Sequence, residues 1–490
     1  MYQGERMAIQ DELVTLLGIG GLDRSLVDAV EIEGRDPVVY SPFRLGEASA
    51  LALGAQAAAV VKIWEMRTGR RQKASIDTLT AAMGLKCVSM LQHNGRSVPL
   101  PDPAYPTVDL YQTGDGRWIM LHGGYPRLRD GLLTLLGCAN DAGAVAQAVS
   151  HWSAQELEDT IADQGLCGAF ARTRQEWLAH PQGRHLADTP VVIIEKIGEA
   201  PPQDFAGRPI RPLSGVRVID CTHVLAGPTC ARTLAEQGAD VLHISGSQLP
   251  YIPSFVMDTG HGKRAAYIDL VPPGGGGSGD NERLARLVAE ADVFSESFRP
   301  GALRKLGFGP QECAKIRPGI VYVSASCYGE DGPWGGRPGW EQLAQTVSGM
   351  AFTQGKVCPD PRPGRSVALS SVYPNDYVSG YLAAFGTLAA LVRRATEGGS
   401  WHVRVVLTRS AMWLQEMGQV ATPPDQLPKL PAPTYPPFPP DMLNPRLAGM
   451  ETPYGPMTFL APGTRFSETP ARWERPTVPQ GFGAPVWLPR

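Results

Sequence analysis

Apolar residues in the second half of the chain alternate between short strand-like runs and longer helical patterns. The run Gly215–Cys221 (GVRVIDC) predicts a buried strand, Gly227–Gly238 predicts a helix opened by a Gly-Pro pair, and Ala239–Ile244 predicts the next strand. The same alternation continues as far as a strand over Ile320–Ser326. Strands that alternate with helices in this way indicate an α/β fold with a parallel, doubly wound sheet.

The first part of the chain predicts a shorter α/β series and then a different pattern. An Ala-rich helix covers Glu47–Met66 and ends at Thr68-Gly69-Arg70, a strand covers Gln72–Asp77, and a helix covers Thr78–Gln92. Residues 93–200 predict a hairpin around Gly114-Asp115-Gly116 and helices over Arg127–Leu136, Ala154–Gln164 and Thr173–Ala179. We therefore expect a smaller α+β domain in this region.

Two segments of the chain predict the same series of elements. The first and last residues of Glu47–Met83 and of Asp376–Met412 are in both cases 36 positions apart, and both segments give a helix, a glycine turn, a strand and a helix. Gly398 falls at the same offset as Gly69, so Glu47 would occupy the place of Asp376. The alternative is a coincidence between two Ala-rich helices.

Composition narrows the class of protein. Of the 490 residues, 43% are hydrophobic and 19% charged, and the formal charge of −3 favours neither nucleic acid nor a membrane surface as partner. The eight cysteines contain no C-x-x-C pair, which argues against a disulfide framework or a zinc site and favours reduced thiols in the cytoplasm. The N-terminus has no signal-peptide pattern, and the apolar stretches are shorter than the roughly 18 residues of a membrane span.

Several long motifs resemble those of the class III coenzyme A transferases, the CaiB/BaiF family, which includes formyl-CoA transferase and α-methylacyl-CoA racemase. The motifs are Leu213–Pro228 (LSGVRVIDCTHVLAGP), Leu234–Ile244 (LAEQGADVLHI), Ala291–Gly307 (ADVFSESFRPGALRKLG), Val321–Ser326, Tyr328–Trp334 and Arg337–Gln345. Residues 213–412 resemble the first half of the family and residues 47–200 its second half, so the family order is inverted.

The resemblance implies a Rossmann-like large domain, a smaller α+β domain and an interlocked homodimer. It divides the chain into a partial, degenerate large-domain half (1–92), the small domain (93–200), a linker (201–212), the large domain with the catalytic aspartate (213–420) and a Pro-rich C-terminal arm (421–490). The tail Met450–Pro489 also resembles the C-terminal stretch of the family.

Asp376 is the catalytic residue that the resemblance implies. A carboxylate can move coenzyme A between carboxylic acids without a metal or cofactor, because it forms an anhydride and then a thioester. Asp376 precedes an Ala-rich helix, as the family nucleophile does, and a helix N-terminus would help to keep it ionised. The alternative is that Asp376 is only a helix N-cap.

The coenzyme A contacts implied by the resemblance lie in two loops and on nearby cations. His223, Val224 and Ala226 would line the thioester, and Ser297-Phe298-Arg299 would hold the adenine side. A core histidine and a solvated turn are the respective alternatives. His243 stands where the family has a lysine or arginine, so the diphosphate would rely on Arg299, Arg304, Lys305 or Lys263-Arg264.

Three functions remain open at this point. The first is coenzyme A transfer from an acyl-CoA to a carboxylic acid, the second is α-methylacyl-CoA racemisation, and the third is coenzyme A binding by a catalytically weakened homologue. The racemase histidine corresponds to Trp340 here, which we interpret as pocket wall or core. Gly123-Gly124 resembles a mobile active-site glycine loop, although a hairpin turn is the favoured interpretation.

Overall fold

The computed structural model describes residues 9–99, 105–271, 280–431 and 437–489. The N-terminal segment contains α1 (Ile9–Gly20), β1 (Val30–Glu33), α2 (Leu45–Thr68), β2 (Ala74–Asp77), α3 (Thr78–Gly84), β3 (Gln92–His93) and β4 (Arg96–Ser97). The next segment contains β5 (Leu110–Gln112), β6 (Trp118–Leu121), α4 (Pro126–Leu136), α5 (Ala142–Val149), α6 (Ala154–Asp163), β7 (Gly168–Phe170), α7 (Arg174–Ala179), α8 (Pro181–Ala187) and β8 (Ile193–Gly198).

The central segment supplies most of the large sheet. It contains β9 (Arg217–Cys221), α9 (Ala226–Glu236), β10 (Asp240–Ser245), α10 (Pro253–Thr259), β11 (Lys263–Tyr267), α11 (Asp280–Ala289), β12 (Val293–Glu296), α12 (Ala302–Lys305), α13 (Pro310–Ile316), β13 (Val321–Ser326), α14 (Glu341–Ser348), α15 (Met350–Val357), α16 (Pro374–Glu397), β14 (Ser400–Val406) and α17 (Leu407–Glu416). The C-terminal segment contains α18 (Pro440–Leu443), β15 (Leu447–Thr452), β16 (Gly455–Leu460) and β17 (Thr464–Phe466).

The large sheet has seven strands in the order β11-β10-β9-β12-β13-β14-β8. Its first six strands are parallel, and β8 joins the edge antiparallel to β14. Neighbouring residues of β9 face opposite cores: Val218 packs with α9 and α16, whereas Ile219 packs with α11 and α13. The predicted parallel α/β sheet with helices on both faces is therefore confirmed.

The predicted repeat is present in the structure. α2 and α16 each have 24 residues and end at glycines with positive φ angles, 72° at Gly69 and 71° at Gly398. β2 lies between a parallel and an antiparallel neighbour, β1 and β17, just as β14 lies between β13 and β8. Glu47 and Asp376 are each the third residue of their helix.

The structure differs from the predicted elements in three places. The helix predicted over Thr78–Gln92 ends at Gly84, and a 3-10 turn and strand β3 follow. β8 lies inside the predicted small domain but completes the large sheet. The predicted C-terminal arm contains β16, which pairs with β3, and β17, which pairs with β2. All three involve partners distant along the chain, which local patterns do not specify.

No helix in the described part of the chain combines the length and the apolar character needed to cross a bilayer. All eight cysteines are free, and seven of them are buried.

Candidate active site

The large sheet has a crevice where its chain order reverses. From β9 the chain passes to β10 on one side, and it later returns to β12 on the other side. Ligands of open α/β sheets bind at the carboxyl ends of the strands beside such a switch point. The turn Thr222–Leu225 follows β9 here, and Ser297-Phe298 follows β12.

The structure brings together four of the predicted coenzyme A contacts at this crevice. The backbone N–H of His223 donates a hydrogen bond to Ser297 Oγ at 2.9 Å. The His223 ring meets the ring of Phe298 edge to face, with 4.6 Å between centroids. Val224 is the next residue of the same turn, so the two predicted loops form one surface.

The turn after β9 has an unusual backbone. Val224 has a φ of 66°, a left-handed conformation that a β-branched residue rarely adopts. Such a conformation costs on the order of 1–3 kcal/mol and persists only where the surroundings enforce it. A Cβ at Gly227 would lie 2.5 Å from Thr222 Cβ, so the tight turn requires glycine there. Strained backbone of this kind is concentrated at ligand-binding turns.

Asp376 lies in the first turn of α16 and is only 6% exposed. The N-cap of this helix is Tyr373, and no side chain caps it, so the N-cap interpretation of Asp376 is wrong. Burial raises the pKa of the Asp376 carboxyl above its ordinary value. A buried carboxyl whose side chain does not cap the helix is free for another role.

A second buried carboxyl, Glu341, lies beside Asp376. It begins α14, is 2% exposed, and its Oε1 accepts hydrogen bonds from Gln345 Nε2 at 2.8 Å and from the Asn375 backbone N–H at 3.3 Å. Its Oε2 is buried without a hydrogen-bond partner. Burial raises the pKa of Glu341, and the negative charge of Asp376 raises it further. Glu341 lies within a motif quoted for the family resemblance, but sequence reasoning assigned it no role.

Close packing fixes α16 against the turn after β9. A Cβ at Gly380 would lie 2.6 Å from the carbonyl oxygen of Ala226 and 2.7 Å from Thr229 Cβ. Gly380 is four residues after Asp376, on the same face of α16. Ala226, a predicted coenzyme A contact, therefore packs beneath the helix that carries Asp376, and it is 8% exposed.

The segment 93–200 covers the same place from the other side. The His122 ring stacks on Trp340 at 4.2 Å, and the Tyr125 ring meets Trp340 edge to face at 5.2 Å. Gly123-Gly124 joins β6 to α4, so the hairpin interpretation is wrong, since the hairpin of this region joins β5 to β6. Trp340 directly precedes Glu341, and its contacts therefore place the glycine segment near the carboxyl pair.

The predicted phosphate-binding cations divide into two groups. Arg304 and Lys305 are exposed, and Arg299 is exposed while donating a hydrogen bond to Gly165 O at 2.7 Å. Lys263 is buried and donates to Asp220 Oδ2 and to Pro228 O, both at 2.8 Å, whereas Arg264 pairs with Asp240. The buried ammonium of Lys263 therefore already has two protein acceptors, whereas Arg264 forms a partly exposed ion pair.

A charged network lies under the crevice. Burial alone would raise the pKa of Asp220, but the Lys263 ammonium and the neighbouring His243 ring lower it below its ordinary value. His243 Nδ1 lies 3.3 Å from Asp220 Oδ2. Burial lowers the pKa of His223 to about 4, and its Nε2 is buried without a hydrogen-bond partner. The His223 ring is therefore neutral near pH 7.

A cleft runs from this turn along α10. Its apolar walls come from Tyr125, Val224, Ile252, Phe255, Val256 and Val478. The Phe255 ring meets the ring of Tyr373 edge to face at 6.4 Å, and Tyr373 is the residue before α16. The cleft thus lies between the strained turn, the start of the Asp376 helix and the small domain.

The fold and the site define a class of protein: an α/β protein with a crevice at the switch point of its sheet and a buried carboxyl beside that crevice. Residues 213–429, which include His223 and Asp376, match the family described as CoA-transferase family III. The predicted family resemblance is confirmed.

Three relatives illustrate the similarity. An acyl-CoA transferase from Gibberella moniliformis is 29% identical over 354 residues, which are 68% of this chain and 61% of the relative. An acetyl-coenzyme A transferase from Hypoxylon pulicicidum is 29% identical over 62% of this chain and 54% of its own length. The beta subunit of a succinyl-CoA–L-malate CoA-transferase from Chloroflexus aurantiacus is 34% identical over 41% of this chain and 50% of its own length. The chain thus spans 50% to 61% of the length of these relatives.

Proposed function

We propose that the protein is an acyl-CoA transferase that moves coenzyme A from an acyl-CoA to a carboxylic acid, with Asp376 as the covalent nucleophile. The observation that carries the proposal is the buried Asp376 carboxyl beside the strained turn after β9, within the segment that matches CoA-transferase family III. Coenzyme A enters as the thioester substrate, and no cofactor takes part.

The reaction proceeds through covalent intermediates on the Asp376 carboxylate. An Asp376 oxygen attacks the thioester carbonyl carbon, the C–S bond breaks, and the coenzyme A thiolate leaves a mixed anhydride behind. The thiolate then attacks the aspartyl carbonyl and releases the first acid as a carboxylate. The acceptor carboxylate attacks the aspartyl thioester to form a second anhydride, and the thiolate takes up the new acyl group and regenerates Asp376.

The helix and the burial of the site act in opposite directions on the nucleophile. The N-terminus of α16 favours the ionised form of Asp376, whereas burial raises the pKa of its carboxyl. The two carboxyls hold one proton between them at moderate pH, since both ionise with difficulty in this buried place. Burial also excludes water, which would otherwise hydrolyse the anhydride.

Coenzyme A binds across the switch point in this proposal. The turn of His223, Val224 and Ala226 contacts the thioester, and Ser297-Phe298 contacts the adenine. Arg299 and Arg304 neutralise the phosphates, a role suited to exposed guanidinium groups just after β12. The contact between the two loops at 2.9 Å supports a common ligand surface.

The finer architecture belongs to the same proposal. In chain order the six parallel strands run 3-2-1-4-5-6, which supports a Rossmann-like large domain. We also propose the inverted family order with a vestigial site at Glu47. The Glu47 carboxylate is 1% exposed and forms an ion pair with Arg44. This ion pair would lower the reactivity of the carboxylate as a nucleophile. A cytoplasmic location and an interlocked homodimer complete the proposal.

The test is covalent trapping. The purified chain is incubated with acyl-CoA and digested, and the peptide containing Asp376 is examined by mass spectrometry for an adduct that hydroxylamine removes. The Asp376→Asn variant is the control and should give no adduct. A racemase would instead exchange the α-proton of the acyl group into deuterated water and leave Asp376 unmodified. A weakened homologue would bind acyl-CoA without either change.

A further inference from the structure

We propose that the cleft along α10 receives the acyl chain of the substrate, and that it selects aliphatic monocarboxylic acids against dicarboxylic acids. This inference rests on the proposed function, because it assigns the substrate class of the same site. It follows from the position of the cleft and from the state of the lysine, the histidines and the threonines in its wall.

The position of the cleft suits the part of an acyl group that extends away from the reacting carbon. One wall is Val224, in the turn proposed to hold the thioester. Another is Phe255, which contacts Tyr373 at the start of the Asp376 helix. Tyr125 closes the third side and contacts Trp340, the neighbour of Glu341. An acyl chain leaving Asp376 therefore meets mostly hydrocarbon and aromatic rings.

No cation in the described wall of the cleft is available for a second carboxylate. Lys263 is the only lysine or arginine among those lining residues, and its ammonium already donates to Asp220 and to Pro228 O. His243 lies against the same Asp220 carboxylate at 3.3 Å, and the His223 ring is neutral near pH 7. The Lys263 ammonium is thus already paired within the protein, and the His223 ring carries no charge near pH 7.

The two lining threonine hydroxyls also donate to protein acceptors. Thr222 Oγ1 donates to Asp220 Oδ1, and Thr259 Oγ1 donates to the carbonyl of Phe255 at 2.8 Å. A second carboxylate in this cleft would lose its water without gaining a charged partner, which is among the most unfavourable exchanges in a protein interior. A methyl group in the same place removes apolar surface from water and is favoured.

The experiment compares two thioesters of equal length, butyryl-CoA and succinyl-CoA, on the full chain. We expect kcat/KM for transfer to acetate to be at least about 100-fold higher with butyryl-CoA. Binding of both thioesters to Asp376→Asn, measured by calorimetry, gives the same comparison without turnover. Equal or reversed preference during turnover would overturn the inference while leaving the transferase proposal intact. Absence of transfer together with tighter butyryl-CoA binding would overturn the transferase proposal and leave the selectivity standing, and absence of transfer with equal binding would overturn both.

A pair of variants at Val256 tests the charge argument directly. Val256 is half-buried on α10 and lines the cleft, so a long side chain can be placed there without filling the core. Val256→Lys supplies the missing cation and should lower the butyryl/succinyl ratio at least tenfold. Val256→Met has similar length without charge and should leave the ratio within about threefold. Circular dichroism checks the fold of both variants, and Ile252→Lys repeats the test at a second position of the wall. An unchanged ratio in the folded lysine variants would contradict the assignment.

Discussion

The close approach of α16 to α9 predicts that Gly380→Ala lowers activity far more than stability. The new Cβ would lie 2.6 Å from Ala226 O. Ordinary contacts begin at about 3.4 Å, so the first turns of α16 must move by about 0.8 Å. Overpacking of this size costs roughly 1–3 kcal/mol, and the better helix propensity of alanine offsets about 1 kcal/mol of it. The net loss of unfolding free energy should therefore not exceed about 2 kcal/mol.

The same shift acts directly on the carboxylate. Asp376 lies one turn before Gly380, and a displacement of about 1 Å in a reacting group can lower the rate about 100-fold. We expect kcat of Gly380→Ala to fall by about that factor, measured on folded protein, with stability measured in parallel by urea unfolding.

Two glycine variants serve as controls. A Cβ at Gly386, also on α16 but remote from Asp376, would lie 2.6 Å from a side-chain atom of Val403, so Gly386→Ala should destabilise without the fall in kcat. Gly18 in α1 has no atom within 4 Å of its Cβ position, so Gly18→Ala should gain up to about 1 kcal/mol and keep full activity. Full activity in Gly380→Ala, or equal losses in Gly380→Ala and Gly386→Ala, would refute the reasoning.

Three further predictions concern buried carboxyls. Asp376→Asn should abolish turnover because an amide cannot form the anhydride. Glu47→Gln breaks the ion pair with Arg44 and should lower the unfolding free energy by about 3 kcal/mol or more, but the folded variant should keep its activity. Equal loss of activity in both variants would mean that the chain has two active sites. Burial and the Asp376 charge raise the pKa of Glu341, so Glu341 is still protonated and neutral when Asp376 ionises. Glu341→Gln should therefore leave the acid limb of the kcat/KM profile unmoved, and a limb shifted to lower pH would contradict this order of ionisation. Burial raises the pKa of Asp36 from 3.8 to about 6, so the folded state binds the proton more tightly than the unfolded state. The unfolding free energy of the wild type should therefore fall by up to about 3 kcal/mol as the pH rises from 4 to 6. Urea unfolding at several pH values should show this fall in the wild type and not in Asp36→Asn.

Local patterns were sufficient for much of the fold. The strand over 217–221, the helix after it and the glycine that ends α2 were predicted because alternation, apolar runs and C-cap glycine act within a few residues. The end of α3 and the pairing of β3 with β16 were missed, since β16 lies more than 350 residues away and no local signal marks its partner. The large sheet likewise takes β8 from a segment whose own pattern indicated a separate domain.

In the candidate site, too, residues marked by a local motif could be predicted, whereas residues whose role depends on a distant neighbour could not. Asp376 and the loops after β9 and β12 could be found because a motif marks each of them. Glu341 could not be separated from other charged residues, because its role depends on burial next to Asp376. Lys263 was assigned to phosphate from its charge alone, but only the folded chain places Asp220 within 2.8 Å of its ammonium.

The paired helices α2 and α16 have a consequence for how the protein can change. In a symmetric dimer every substitution at the contact between two equivalent helices is made twice, so each new side chain must be compatible with its own copy. Here the two equivalent helices lie in one chain, pack against each other and differ in sequence, and Glu47 stands on one where Asp376 stands on the other. A substitution in α2 therefore alters one side of the contact alone. The helix that bears the nucleophile can stay fixed while its counterpart adapts to it.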